Sequence, residues 1–207
     1  MQRLTRKQKE RQDHIKYIIN IAEELFSRKG YFKVKMKEIA QKAEFALATL
    51  YRFFHSKEAL YKKMISNRFG KMVEKIQQDM DAVSSNLLKI EKFIEAKLAF
   101  LHKHKKFIPI FLRQAYPSPF SEQSSSHMQS AVQWRNLISN LSYIIEKAMA
   151  EGALRTLEPL KMAFILDHMS NAVAYKWLEK GSSKSLSQDI EDIKALLLNG
   201  MKSSIHQ

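Results

Sequence analysis

Cysteine is absent from the 207 residues, and there are only five glycines and four prolines. Without cysteine there are no disulfides, thiolate metal sites or cysteine nucleophiles. Few glycines and prolines mean few tight turns, and no β-branched alternation is sustained, which points to an all-α fold. No stretch approaches the roughly 18 uninterrupted apolar residues that a membrane span needs. The opening "MQRLTRKQKERQDH" lacks an apolar core and does not read as a secretory signal. A soluble, cytoplasmic protein with no membrane partner is expected. Catalytic signatures are missing as well: there is no GxSxG, no HExxH and no phosphate-cradling glycine loop. His102 and His104 are two apart and would diverge on a helix, so "HKHKK" at 102–106 reads as a charged, solvated helix end rather than a metal site. No enzyme, metal or cofactor is expected.

What the chain does have is a basic bias on a globular composition. Net charge is +14, and it is unevenly placed. Residues 1–63 carry 16 Lys+Arg against 7 Asp+Glu, whereas residues 64–207 carry 19 against 14. An N-terminal end that meets a polyanion would explain this, as would a solvated basic face.

Apolar residues at three- and four-residue steps mark the helices. Ile15, Ile18, Ile19, Ala22, Leu25 and Phe26 define the first, with Thr5 and Gln8 as a capping box and Gly30 as a left-handed C-terminal cap. Met36, Ile39, Ala40 and Ala43 define a short second helix, and Leu50 and Phe54 a third. Ser56 caps a long fourth helix that buries Leu60, Met64, Ile65, Phe69, Val73, Ile76 and Met80. Leu87 to Leu101 form another stripe. Pro109, Pro117 and Pro119 divide the next region, with Ser118–Pro119 as a helix start and "SEQSSSH" at 121–127 as a loop. Strong helices follow at about 129–151 and 158–180, then one boxed by Ser185 and Gln188 that runs to about 199.

Three short helices feeding a long one is a helix-turn-helix layout. Within it, "IINIAEELFSRKGY", "MKEIAQKA" and "TLYRFFHSKEAL" resemble the DNA-binding domain of the TetR family of one-component repressors, over about residues 14–65. "EGALR" before Glu158–Pro159, then a helix ending "WLEKG", is similar to that family's ligand-binding, dimerising half. The resemblance implies a reading domain over residues 1–60 and an effector-binding, dimerising helical domain over 61–207. It also implies a homodimer on a palindromic operator in double-stranded DNA, with a small-molecule effector that releases it.

The turn departs from the family pattern alanine-glycine-hydrophobic-serine-x-glycine-threonine, since this chain reads Ala43, Glu44, Phe45, Ala46, Leu47, Ala48, Thr49. Glu44 takes the place of the glycine that relaxes the turn, at a cost of about 1 kcal/mol. Ala46 replaces a capping serine, at about 1 kcal/mol more. A recognition helix over Leu47 to Phe53 would enter the major groove with Ala46, Leu47 and Ala48 offering apolar contacts and no donors. The hydroxyls of Thr49 and Tyr51, as the resemblance implies, hold phosphate oxygens; Lys57, in the first turn of the fourth helix, adds a charge there. Lys37 is a backbone-contact candidate, Arg52 could face DNA or solvent, and Arg3, Arg6, Lys7, Lys9 and Arg11 form either a minor-groove arm or a solvated extension.

In the larger domain, Phe100, Phe107, Phe111, Met128 and Trp134 are candidates to line an apolar or aromatic effector site, together with Phe164 and Tyr175. Plain core is the other reading of such a stripe. Asp167, His168 and Asn171 interrupt an apolar helix and could orient a ligand. Leu137, Leu141, Ile144, Ile145 and Leu178 are candidates for an isologous four-helix dimer interface. The rival reading is a nucleic-acid or protein-interaction module that keeps the fold without specific operator reading.

Overall fold

The computed structural model describes residues 5–115, 127–180 and 186–201. These are helical, with no strand element among them: α1 (Arg6–Lys29), α2 (Met36–Lys42), α3 (Leu47–Phe53), α4 (Lys57–Asp81), α5 (Asn86–Lys103), a single 3-10 turn (Lys105–Phe107), α6 (Ile108–Ala115), α7 (His127–Ala150), α8 (Pro159–Lys180) and α9 (Leu186–Met201). The chain forms two compact units, Met1–Arg68 and Phe69–Gln207, and the division falls within α4.

In the first unit, the Thr5–Gln8 capping box starts α1: the Thr5 hydroxyl accepts from Gln8 N–H and the Gln8 side chain accepts from Thr5 N–H. Arg6, Lys7, Lys9 and Arg11 therefore lie on helix, and Arg6 pairs with Glu10. Gly30 ends α1 with its N–H on Phe26 O (2.9 Å). Its φ of 76 is positive as expected, but ψ is 162, so the cap is extended rather than left-handed helical. Ile18, Ala22, Phe26, Ile39, Leu50, Leu60 and Met64 make the core. Arg68 closes α4 onto α1 by an ion pair to buried Glu23 (2.6 Å) and a bond to Asn20 Oδ1 (3.0 Å).

In the second unit, α5 packs against α7, α8 and α9, and α7 against α8. The Ser85 hydroxyl caps α5. Pro109 sits in the first turn of α6, where the missing N–H costs nothing. Pro159 opens α8, capped by Glu158, whose carboxylate accepts from Leu160 N–H (3.0 Å) and Lys161 N–H (2.6 Å). Gly152 (φ 74) ends α7, with Ala153 N–H on Ala148 O and Gly152 N–H on Met149 O, both at 3.0 Å. The expectations at Arg3, Pro117, Ser118, Pro119, residues 121–126 and Ser185 lie outside the described residues. In "HKHKK" Lys103, Lys105 and Lys106 are exposed, as expected of a solvated end, while the two histidines are half-buried: His102 packs edge-on against Trp177 (5.4 Å) and His104 lies tilted beside Phe100 (4.4 Å). Gly70 lies within α4, where an added side-chain carbon would meet no atom within 4 Å. No described helix is long and apolar enough to cross a membrane.

Candidate nucleic-acid interface and buried polar centre

The turn between α2 and α3 is closed by backbone bonds. Phe45 N–H reaches Ala40 O (2.9 Å) and Glu44 N–H reaches Gln41 O (3.2 Å), which satisfies two of the last carbonyls of α2. This pattern needs a positive φ at position 44, and Glu44 adopts φ 59, the one non-glycine residue among those described to do so. Ala46 then starts α3 with extended backbone and no side-chain cap, so α3 begins with its first N–H groups open.

Only Leu50 of α3 is buried. Ala46, Leu47, Ala48, Tyr51 and Arg52 are exposed and Thr49 is half-buried, so α3 turns a mostly solvent-facing surface outward. Two features were not foreseen. Phe45 and Phe53 flank α3 and pack around His14 of α1, with centroids 5.3 and 6.0 Å away, while Arg11 lies over Phe53 at 5.7 Å. Thus the front of α1 buttresses the reading helix; the i, i+3 pair Arg11/His14 was the available signal. Second, Lys33, Lys35 and Lys37 are exposed, make no ion pair among the described residues, and alternate with buried Val34 and Met36. That two-residue period was visible in "KVKMK".

Lys57 is more deeply involved in the fold than its sequence position suggests. Its ammonium donates to Tyr31 O and Val34 O, both at 3.0 Å, and lies 4.4 Å from the Tyr31 ring centroid. Two of its three N–H groups hold the α1–α2 loop, and one remains for an outside anion. Ser56 caps α4 through Ala59 N–H (3.0 Å), as expected.

In the second unit a polar centre lies inside the core. Lys97 of α5 is wholly buried, and its Nζ donates to Asp167 O (2.8 Å) and Asp167 Oδ1 on α8. Phe93, Phe111 and Trp134 surround it, with Trp134 nearest at 5.0 Å. Burial pushes the Lys97 ammonium below its ordinary pKa, against the opposing pull of Asp167. The second carboxylate oxygen accepts from Asn171 Nδ2 (3.4 Å), whose own Oδ1 is buried with no hydrogen-bond partner. An orphaned amide oxygen of this kind costs roughly 1–3 kcal/mol.

The comparisons with known proteins bear first on the reading unit. Residues 18–64 match the family model for bacterial regulatory proteins of the tetR family. Over those residues the chain is similar to the DNA-binding domain of TetR-family regulators. Across more of the chain, 167 residues are 25% identical to the HTH-type transcriptional regulator YhgD of Bacillus subtilis (strain 168), covering 80% of this chain and 84% of that one. The HTH-type transcriptional repressor KstR2 of Mycolicibacterium smegmatis is 21% identical over 190 residues, 90% of each chain. Among solved structures, AibR in complex with isovaleryl coenzyme A and operator DNA superposes with a TM-score of 0.77 at 16% identity, covering 89% of this chain and 98% of that one.

The helical unit requires corrections to the expected site residues. Leu137, Leu141, Ile144 and Ile145 are buried within the single chain, because α5 and α8 already cover the one strong apolar stripe of α7. They build the monomer core and present no surface to a partner. Leu178 is 42% exposed. Phe164 (47%) and Tyr175 (55%) also face solvent, as does His168, so they do not line an interior site of the chain. Phe100, Phe107 and Phe111 are buried, and Trp134, Asp167 and Asn171 stand with Phe111 around the polar centre. The side chain of Met128 lies outside the described residues.

Proposed function

We propose that the protein is a ligand-responsive transcriptional repressor of the cytoplasm that binds a palindromic DNA operator as a homodimer and is released by a small apolar or aromatic effector. The observation that carries this is the exposed α3 face with Tyr51 and Arg52, on a unit that also presents the exposed Lys33, Lys35 and Lys37. Lysines, and Tyr51 and Thr49 hydroxyls, take phosphate oxygens and set the register; few groups remain to read bases. AibR, solved with both an acyl-coenzyme A and operator DNA, is precedent for the same architecture holding both ligands.

Homodimerisation is supported by α8, which exposes Leu160, Phe164, Tyr175 and Leu178 at helical spacing. Two copies joined through this face would form an isologous pair, and a dimer presents two recognition helices about 34–36 Å apart, one turn of DNA. Effector action follows by linkage: the ligand must prefer the conformation that mis-spaces the reading heads.

Selection of binding sites from random duplexes near physiological salt tests the reading, and a palindromic consensus with half-sites one turn apart is the expected result. Salt-sensitive binding without a consensus would support the second reading, a module that has lost operator specificity. The donor-free Ala46–Leu47–Ala48 surface and the uncapped start of α3 favour that alternative.

A further inference from the structure

In the polar centre of the helical unit one N–H group and one carbonyl oxygen have no partner among the described residues. Lys97 uses two of its three N–H groups on Asp167, and the third has no acceptor among the described residues. Asn171 donates to the other oxygen of the same carboxylate, which turns its own carbonyl oxygen away from Asp167 and leaves it buried and unpaired. One donor and one acceptor thus remain on the two partners of a single carboxylate. Around Lys97 stand the rings of Phe93, Phe111 and Trp134.

From this arrangement we infer that the effector is uncharged, with a flat apolar body and one hydroxyl group that bridges Lys97 and Asn171. The hydroxyl oxygen accepts the remaining N–H of Lys97, and its hydrogen goes to Asn171 Oδ1. Charge selects against the alternatives. The Lys97–Asp167 pair is already neutral, so a carboxylate would bring an uncompensated negative charge into an apolar shell, and an amine a second cation. A ligand without a donor leaves the Asn171 oxygen unpaired, and sites built to bind a hydroxyl discriminate strongly against analogues that lack it. This inference rests on the ligand-responsive reading above.

Phenol, anisole, toluene and benzoate share one ring and differ only in the group at issue. Calorimetric titration of each into the full-length protein is expected to show saturable phenol binding, one site per chain, at least tenfold tighter than the other three. In Asn171→Ala the preference for phenol over anisole should fall below twofold; the wild-type series decides the matter even if that variant folds poorly. Equal binding of toluene, tighter binding of benzoate, or no saturable phenol binding overturns the inference, a buried water then being the partner of Asn171. Affinity for a selected duplex, measured with and without phenol, separates the two claims. Selective phenol binding that leaves duplex affinity unchanged keeps the site and removes the effector reading. Release of the duplex by another compound, with no phenol binding, keeps the effector reading and removes the hydroxyl.

Discussion

Glu44 and Gly152 occupy the same position in the same backbone motif, one after α2 and one after α7. Each lends its N–H to the carbonyl three residues back, and each has positive φ. The glycine bears this without strain, whereas a side chain in the left-handed region costs about 1–2 kcal/mol. Glu44→Gly should therefore raise unfolding stability by up to about 1 kcal/mol, after the extra unfolded-state entropy of glycine is subtracted. Urea denaturation measures it; unchanged or lower stability would mean that Glu44 makes a compensating interaction. Ala46→Ser supplies the missing cap and should add about 1 kcal/mol by the same assay. At Lys37 and Lys57 stability and binding separate. Lys37→Ala should flatten the log-affinity against log-salt slope by about one with stability unchanged. Lys57→Ala should flatten it similarly and also lower the melting temperature, since the Tyr31 and Val34 carbonyls lose their donor. A slope unmoved by either substitution removes that lysine from the contact set.

Helices were the readable element of this sequence. The periodicity of Ile18, Ala22, Leu25 and Phe26, the Thr5–Gln8 box and the proline at the head of α8 are local signals, and local signals survive without knowledge of the tertiary fold. Which apolar side chains face outward is not local. Leu137 and Phe164 look alike in sequence, yet α5 and α8 bury the first and nothing described covers the second. The Lys97–Asp167 pair joins residues 70 apart, beyond any periodic pattern, and so was missed as a pair. Its removal is informative at this scale. Lys97→Met alone should cost about 3–5 kcal/mol by stranding a buried carboxylate, and Lys97→Met with Asp167→Leu should recover most of that. Near-additive losses would mean that the two charges do not depend on each other. The α5–α9 tie has its own pH signature. Lys194 bonds Glu91 (2.9 Å) and Glu95 (3.0 Å). Burial of Glu95 acts to raise its pKa, but bonds from Lys92 and Lys194 outweigh it and hold the carboxyl below 4.5. The stability it contributes is present above that value and is lost as pH falls through the lower folded pKa, so Glu95→Gln should narrow the difference in stability between neutral and acid pH.

Taken whole, the chain carries a basic reading unit and a larger helical unit, and α4 contributes residues to both. Assembly is the property of this scale. Phe164→Glu places a charge on the exposed face of α8 without touching the core, and sedimentation should then show a monomer whose affinity for a palindromic duplex falls toward that for random sequence. A variant that stays dimeric would move the interface elsewhere.

Gly70 stands two residues beyond the point where α4 passes from one unit to the other, and nothing nearby demands so small a residue. A helix that could have carried alanine there forgoes roughly 1 kcal/mol of rigidity. Stiffening it by Gly70→Ala should make a hardier protein that obeys its inducer less readily: a higher melting temperature, with a smaller ratio of duplex affinities in the absence and presence of the inducing compound.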